Sequence, residues 1–376
     1  MPALNRQSRP ACLGRLALAV ALMTGSCTPT AGAGEPIIVA AVSTRGSLLQ
    51  PEGGDVETGV REAVQRLNAA GGVLGRPLEV ASFDDRCNRT EAEGIAAQAV
   101  ALSATLVVGH LCPGAATVAA AASARAGILM IGPGVRHSRF TTPRAGPVIF
   151  RLAGRDDRLA SELATAVALR FAGHRIAIAH DRSAQARGLA DQIEREFKAV
   201  QLAPVLRDSY VAGEKQYNQL VDRLIAANAQ IVVIPAQPIE TGIILARARS
   251  LGADLTLVGS EILAVPEIEA TAKAFGDHLL LMLPWMPAAK AEGAAPQADR
   301  APVGATRLLA RAAVEAWAAA AGKAQSLDSA AIGRALETET AATAIGPLRF
   351  DARGDALIPS YTLSSWRDGR WQPIVP

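Results

Sequence analysis

The sequence predicts an α/β protein with two doubly wound parallel-sheet lobes. The first observation is a strict alternation of short apolar strands with helices, which runs in two successive series and is typical of βαβ units. The second is the length of 376 residues, which is enough for two hydrophobic cores. The third is the composition, in which 50% of the residues are hydrophobic and only 19% are charged, as in a folded chain.

The first 34 residues predict a secretory signal peptide. Three arginines precede a short apolar run at 16–23, and no acidic residue occurs before Glu35. The run is too short to span a bilayer. Two processing sites compete: the small residues at 31–33 would allow cleavage near residue 34, whereas a lipobox-like sequence would place a lipid on Cys27. Either reading predicts export to the periplasm.

Removal of this segment changes the charge of the chain. The formal net charge of +3 falls to zero, because the segment contains three arginines and no acid. A neutral mature chain does not favour nucleic acid or an anionic membrane as a partner.

Cys87 and Cys112 are the cysteines that remain after processing. In an exported protein, two cysteines most simply form one disulfide. It would close a loop of about 25 residues and contribute roughly 3 kcal/mol. The alternative is a metal site completed by His110, although the cysteines lack the C-x-x-C spacing. We expect the disulfide, with no metal and no cofactor.

The first lobe is predicted from the alternation in the first part of the chain. Residues 37–42 form an all-apolar strand, typical of the interior of a parallel sheet. A polar, glycine-rich loop at 43–55 should precede a helix at 57–70. The next helix should begin at Thr90 as N-cap, with Glu93 completing a capping box. The other predicted elements are strands at 77–83, 106–109, 128–131 and 148–152, and helices at 90–102 and 115–126.

The second lobe is predicted from a second alternating series. Its helices are expected at 158–171, 184–200, 217–227, 239–251 and 266–275. Its strands are expected at 175–180, 205–210, 230–235, 255–259 and 278–283. After an Ala- and Pro-rich loop, the last predicted elements are helices at 306–321 and 329–337 and short strands at 347–350 and 360–365.

Candidate ligand residues follow the predicted strands. The stretch 106–117 is a strand, a glycine-containing loop and a helix start, where free backbone N–H groups and the helix dipole favour an anion. Arg136 follows a Gly-Pro-Gly strand end near this loop and could bind a carboxylate, or it could be a surface arginine. Glu261 comes two residues after Gly259 at a strand end, where ligands meet α/β sheets, although a capping role is the alternative.

The sequence lacks the common catalytic signatures. There is no G-x-S-x-G elbow, H-E-x-x-H motif, P-loop, or G-x-G-x-x-G after the first strand, and the five histidines are scattered. Asp84 and Asp85 follow a strand and could be an acid or metal pair, but carboxylates there more often cap a turn. We therefore expect a binding protein and not an enzyme.

Several short segments resemble one bacterial family. These segments are Gly71–Arg76, Asp84–Cys87, Gly109–Cys112, Gly127–Ile131, Arg175–Ile178 and Gly346–Leu348. In their order and spacing they resemble the leucine/isoleucine/valine-binding proteins, which are periplasmic receptors of branched-chain amino acid ABC transporters. The resemblance runs from about Ile37 to Trp366.

The resemblance implies the type I periplasmic binding-protein fold, with three crossovers between the lobes and the ligand held between them. It also implies the disulfide between Cys87 and Cys112. The crossovers would fall near 152–155, 283–287 and 346–350. Lobe one would consist of residues 35–152 plus 287–346, and lobe two of residues 155–283 plus 350–376. The expected partners are a small-molecule ligand and an inner-membrane permease, and we expect a monomer.

The ligand site carries over from the family only in part. The acidic residue for the ligand ammonium corresponds to Glu261, but the carboxylate-binding serine and threonine correspond to Pro113 and Arg136. Three aromatic positions correspond to polar residues, and a phenylalanine position falls near Pro302. The expected ligand-binding residues are Glu52, Pro113, Thr117, Gly134, Arg136, Gln185, Gln237 and Glu261.

These departures lead to a hypothesis about the ligand. Burial of Glu52 or the two glutamines beside an aliphatic side chain would cost a few kcal/mol. Arg136 could replace the lost hydroxyls with a bidentate fork to a carboxylate. We therefore expect a polar or extended ligand, and not leucine, isoleucine or valine, bound by hinge closure. A sensor of the same fold without a transport role is the alternative.

Overall fold

Two mainly parallel sheets organise the chain. The computed structural model describes residues 34–235, 238–287 and 304–374. These contain a five-stranded sheet, a seven-stranded sheet and a two-stranded hairpin. The predicted α/β fold with two lobes is confirmed. No helix within the described ranges is both long and apolar enough to cross a lipid bilayer.

The sheet of lobe one is entirely parallel, with strand order β2-β1-β3-β4-β5. Its strands are β1 (Ile37–Ser43), β2 (Leu78–Asp84), β3 (Leu106–Val108), β4 (Leu129–Gly132) and β5 (Ile149–Arg151). The intervening helices are α1 (Gln50–Ala69), α2 (Arg89–Ala101) and α3 (Pro113–Ala126). Because β2 and β3 lie on opposite sides of β1, the strand order reverses there. The crevice outside the carboxyl ends of β1 and β3 is therefore where an open α/β sheet binds ligands.

Two local predictions in this lobe were wrong. Helix α1 begins at Gln50, so the expected loop at 43–55 is shorter and ends before Glu52. The helix start packs closely on the end of β1: a Cβ at Gly53 would lie 2.5 Å from Thr44 N. The N-cap of α2 is Asn88 rather than Thr90, since Asn88 Oδ1 accepts from Thr90 N at 2.8 Å. Glu93 completes no capping box and instead pairs with Arg125.

The sheet of lobe two has strand order β14-β13-β10-β9-β8-β6-β7. Its parallel strands are β6 (Ile176–His180), β7 (Leu206–Ser209), β8 (Ile231–Val233), β9 (Thr256–Ser260) and β10 (Leu279–Pro284). Its helices are α4 (Leu159–Arg170), α5 (Ala184–Ala199), α6 (Asn218–Ala226), α7 (Pro238–Ser250) and α8 (Glu269–Phe275). Because β7 and β8 flank β6, a second reversal of strand order lies between β6 and β8.

The chain then returns to lobe one before it ends in lobe two. The returning elements are α9 (Ala305–Ala324), α10 (Ser329–Thr338) and the hairpin β11 (Ala341–Thr343) and β12 (Gly346–Leu348). The final strands are β13 (Tyr361–Arg367) and β14 (Arg370–Pro373), which join the lobe-two sheet in antiparallel orientation. This sheet is therefore mixed at one edge rather than purely parallel, and β14 was not predicted.

The hydrophobic cores follow this division. One cluster combines residues 37–152 with 309–350, while the two faces of the lobe-two sheet carry separate clusters. Phe350 packs against Phe150 with ring centroids 5.1 Å apart. Phe350 therefore packs at the point where the chain leaves lobe one.

Buried ion pairs join the first and last connections between the lobes. We call the residues that form and surround them, Thr141, Arg151, Arg155 and Asp355, the connection network. Arg151 Nη2 lies 2.7 Å from Asp355 Oδ1, and Arg155 Nη1 lies 3.0 Å from Asp355 Oδ2. Thr141 Oγ1 also donates to Asp355 at 2.7 Å. Burial raises the pKa of Asp355, but Arg151, Thr141 and Arg155 outweigh it and hold the pKa below its ordinary value.

Candidate ligand-binding site

Buried polar atoms without a hydrogen-bond partner among the described residues concentrate after the carboxyl ends of strands. Those near strand ends are Thr44 Oγ1, Glu52 Oε2, Arg136 Nη2, the hydroxyls of Tyr210 and Tyr217, and Glu240 Oε2. Arg247 Nε, Trp317 Nε1 and Ser365 Oγ lie within helices or a strand instead. Leaving such a group buried and unsatisfied costs about 1–3 kcal/mol, and more when it is charged. Their concentration on the cleft side of both sheets therefore indicates a site that a polar ligand completes.

Lobe one contributes Thr44 and Glu52 at its reversal of strand order. Thr44 directly follows β1 and is 0% exposed. Glu52 lies in the first turn of α1 and is 8% exposed. A carboxylate at this depth favours a ligand that brings hydrogen-bond donors.

The loop after β3 is arranged differently from the cradle that the sequence suggested. Pro113 is the first residue of α3 and is exposed, and it has no N–H to donate. Thr117 is also exposed, and its hydroxyl donates back to the Pro113 carbonyl at 2.8 Å. Gly134 fits closely against this loop, since a Cβ there would lie 2.7 Å from Leu111 Cδ2. The helix start therefore offers few side-chain donors, and Arg136 is the nearby cation.

Arg136 and Glu261 meet at the same side chain, Tyr361. The Arg136 Cζ lies 4.6 Å from the centroid of the Tyr361 ring, and its Nε donates to the Gly154 carbonyl at 3.3 Å. The Tyr361 hydroxyl lies 3.2 Å from both Glu261 Oε1 and the Asp156 carbonyl. Burial raises the pKa of Tyr361, and Glu261 adds to this while Arg136 opposes it. The structure thus brings a cation from lobe one and a carboxylate from lobe two to one phenol.

The remaining predicted residues are less informative. Gln185 is exposed in the first turn of α5. Gln237 and Pro302 lie outside the described residues, as do the signal peptide and Cys27.

The two cysteines lie side by side behind the site. Cys87 and Cys112 have Cα atoms 5.4 Å apart, within the range of a disulfide. His110, the residue that the alternative metal site would need, has its Nδ1 2.7 Å from Oδ2 of buried Asp85. Asp85 Oδ1 accepts from Cys87 N at 2.9 Å, so this acid caps a turn as expected. In the described part of the chain, no three His, Cys, Asp or Glu side chains are grouped to hold a metal ion.

Sequence reasoning missed Thr44, Glu240 and every tyrosine at the site. One signal was available in the composition. The chain has only three tyrosines, and all of them, Tyr210, Tyr217 and Tyr361, are buried near the strand ends that face the cleft. A rare amphipathic residue that is always buried at one edge of a sheet points to a polar site.

Two α/β lobes with unsatisfied polar groups after their strand ends define a two-lobed solute-binding protein. The chain belongs to the periplasmic binding protein family, whose model matches residues 36–370. This confirms the resemblance found in the sequence. Proteins of this family bind solutes and are not enzymes.

Two curated binding proteins are similar in sequence to most of this chain. The leucine-, isoleucine-, valine-, threonine- and alanine-binding protein of Pseudomonas aeruginosa is 30% identical over 83% of this chain and 85% of its own length. The Leu/Ile/Val-binding protein of Escherichia coli is 31% identical over 88% of this chain and 91% of its own length.

Solved structures agree on the fold. An ABC transporter substrate-binding protein from Desulfitobacterium hafniense, in complex with Leu, has a TM-score of 0.60 and 24% identity, covering 90% of this chain and 100% of that one. A solute-binding protein of an ABC transporter from R. palustris, in complex with benzoate, has a TM-score of 0.55 and 17% identity, covering 90% and 95%.

Proposed function

We propose that this protein is the periplasmic receptor of an ABC importer and binds a small amino-acid-like or polar carboxylate ligand. The relatives from P. aeruginosa and E. coli are both named for amino acids that they bind, which supports an amino-acid-like ligand. The observation that carries the proposal is the Arg136 guanidinium, whose Nη2 is buried without a partner among the described residues. A ligand carboxylate would supply the missing acceptor through a charge-assisted hydrogen bond.

The ligand would bridge the lobes. Its carboxylate would lie against Arg136 of lobe one, and its ammonium would bind Glu261 of lobe two, beside Tyr361. Thr117, Gly134 and Pro113 would form the wall near α3, while Gln185 and Gln237 would line lobe two. Contacts to both lobes stabilise a closed form over an open one, and the closed form would dock on a membrane permease.

We also propose that the ligand is not leucine, isoleucine or valine. Glu52 occupies a position where the resembling family has an aromatic side chain, and it is buried with Oε2 unpartnered in the described structure. An aliphatic side chain against this carboxylate would leave it unsatisfied, at a cost of a few kcal/mol. A ligand with polar groups beyond its α-carbon would satisfy it instead.

The proposal also covers how the chain is processed, where the protein acts and its oligomeric state. We propose that residues 1–34 direct export and are removed, and that the mature protein is a periplasmic monomer with a Cys87–Cys112 disulfide. Lobe one would comprise residues 35–152 plus 287–346, and lobe two residues 155–283 plus 350–376. Intact mass measurement of protein purified from its own periplasm, with and without thiol alkylation, would test processing, any lipid on Cys27, and the disulfide. Free thiols in the oxidised protein would contradict the disulfide.

Titration calorimetry against amino acids and small polar carboxylates tests the binding function. We expect at least one of them to bind to the wild type and to bind much more weakly to Arg136→Met. Arg139→Met is the matched control, because Arg139 is exposed three residues away. Tight binding of leucine would contradict the ligand assignment. Failure of every amino acid and carboxylate to bind would contradict the receptor function itself.

A further inference from the structure

A second group of unsatisfied polar side chains lies in lobe two, away from Arg136. We call it the lobe-two pocket and define it by Tyr210, Tyr217 and Glu240. These residues are 5%, 3% and 5% exposed, and both hydroxyls and Glu240 Oε2 have no hydrogen-bond partner among the described residues. The two tyrosine rings meet edge to face, with centroids 5.0 Å apart. Three orphaned polar atoms in one buried cluster exceed what packing alone explains.

The pocket lies where an α/β sheet binds ligands. Tyr210 directly follows β7, Glu240 lies in the first turn of α7 after β8, and buried Asp181 directly follows β6. All three positions are at the carboxyl ends of strands, on both sides of the reversal of strand order between β6 and β8. Glu261, which follows β9, stands on the same edge of the same sheet.

Only one of the two carboxylate oxygens of Glu240 has a hydrogen-bond partner among the described residues. Gly213 N donates to Glu240 Oε1 at 3.1 Å. This hydrogen bond orients the Glu240 side chain and anchors the loop between β7 and α6. Oε2 remains to accept a donor. Burial and the charge of Glu240 raise the pKa of both tyrosines, so their hydroxyls stay neutral. A neutral phenol can donate and accept, so the Tyr210 oxygen can accept from an N–H donor.

This combination of groups selects a cation. Glu240 Oε2 and the phenolic oxygens accept hydrogen bonds from N–H donors, of which an ammonium group has three, and the tyrosine faces also favour a cation. Asp181 adds a second negative charge nearby, whereas an anionic ligand group would be repelled by both acids. A primary amine fits this pocket better than a carboxylate or a phosphate.

We propose that the lobe-two pocket binds the distal amine of the ligand, so that the cargo is an amino acid whose side chain ends in a primary amine. This inference rests on the proposed function, in which Arg136 and Glu261 hold the α-carboxylate and the α-ammonium. It also gives a role to the acidic side chains Glu52, Asp181 and Glu240, all of which are buried.

Calorimetry with lysine, ornithine and norleucine tests the proposal, since norleucine keeps the linear side chain but lacks its amine. We expect the wild type to bind lysine or ornithine at least about tenfold more tightly than norleucine, as for one hydrogen-bonded charge. Glu240→Gln should reduce that preference about tenfold or more, because it should weaken binding of lysine or ornithine far more than binding of norleucine. Glu267→Gln, a charge-matched change at an exposed residue of lobe two, should leave the preference intact.

A second variant separates recognition from folding. Tyr217→Phe keeps the ring and removes only the hydroxyl, and we expect it to lower the preference for the amine while thermal unfolding stays cooperative. Equal binding of lysine and norleucine to the wild type would overturn the proposal. So would an unchanged preference in both folded variants, or binding of amine-free carboxylates only. Those results would leave the receptor function standing, whereas no binding of any carboxylate ligand would contradict that function as well.

Discussion

The connection network and the strand ends that face the cleft both contain buried charged side chains. The two regions differ in how many of the charged atoms have hydrogen-bond partners. In the network, each oxygen of Asp355 accepts from an arginine, and Arg151 also donates to the carbonyls of Arg136 and His137. At the strand ends, Glu52, Arg136 and Glu240 each keep an atom without a partner among the described residues. We therefore distinguish buried charges that stabilise the fold from buried charges that the proposed ligand would satisfy.

The difference predicts opposite responses to mutation. Removal of one partner of a satisfied buried pair leaves the other charge stranded, which costs stability. Removal of an unsatisfied group relieves a cost that the free protein already carries, so stability is kept or increased while binding is lost. Such a stability–function trade-off is the expected signature of a ligand site.

The largest effect should come from the connection network. Asp355→Asn should lower the free energy of unfolding by about 3–5 kcal/mol, because Arg151 would stay buried without its counter-charge. Urea unfolding monitored by circular dichroism measures this. Asp157→Asn is the control, since its side chain is 46% exposed and its pairing with Arg155 should be worth at most about 1 kcal/mol. Equal effects of the two changes would show that the network is not a structural unit.

The next effect should be on binding alone. Arg136→Met should weaken carboxylate binding by about 1.5–3 kcal/mol, roughly tenfold to a hundredfold, because a charge-assisted bond is lost. The same variant should change the free energy of unfolding by only about 1 kcal/mol. It loses one long hydrogen bond to the Gly154 carbonyl and the contact with the Tyr361 ring, but it also removes the unpartnered Nη2. A large loss of stability in this variant would show that Arg136 stabilises the fold rather than binding the ligand.

The third effect is a dependence on pH. Asp355 has a folded-state pKa below its unfolded value of about 3.9, so its stabilisation is present above that pH and is lost as the pH falls below it. The stability difference between wild type and Asp355→Asn should therefore narrow below about pH 4, by at most about 1.4 kcal/mol per pH unit. Urea unfolding of both proteins between pH 3 and pH 7 measures it. A difference that stays constant across this range would contradict the assignment.

The smallest expected effect is a gain in the stability of the ligand-free protein. Glu52→Met should raise the free energy of unfolding of the ligand-free protein by about 1 kcal/mol, because an unsatisfied buried carboxylate is replaced by an apolar group. The same change should weaken binding of a polar ligand. Glu62→Met is the control on the same helix, because Glu62 already accepts from Arg307 at 3.0 Å and nothing is relieved by its removal. Thermal unfolding of the ligand-free proteins distinguishes them, and a loss of stability in Glu52→Met would contradict the prediction.

Most of the fold could be predicted from the sequence because local patterns and global topology agree. Apolar β-branched runs mark the strands, and each is followed by a helix with turn residues between them. The start of α1 was missed because Gly53 lowers helix propensity, yet it is the residue that allows the helix to pack on Thr44. The wrong cap of α2 has another cause: Asn88 and Thr90 are both good caps, and only the backbone geometry decides between them.

The site was less predictable because its parts come together only in the folded chain. Glu52, Arg136 and Glu261 could be proposed from strand ends and a family resemblance. Tyr361 could not, since its hydroxyl reaches Glu261 across 100 residues of sequence and no local pattern records that contact. The lobe-two pocket has the same origin, because Tyr210 and Glu240 follow different strands and only the sheet order makes them neighbours.

The close contact between α1 and α9 also determines the order in which the protein can fold. A Cβ at Gly59 would lie 2.1 Å from the Arg307 carbonyl, so the two helices touch at their backbones, and Glu62 and Arg307 are 245 residues apart. Lobe one therefore cannot complete its core until nearly the whole chain has been synthesised. Contacts of such long range slow folding. Newly made chains consequently spend longer without a finished first lobe, with apolar surface exposed to chaperones and translocation factors.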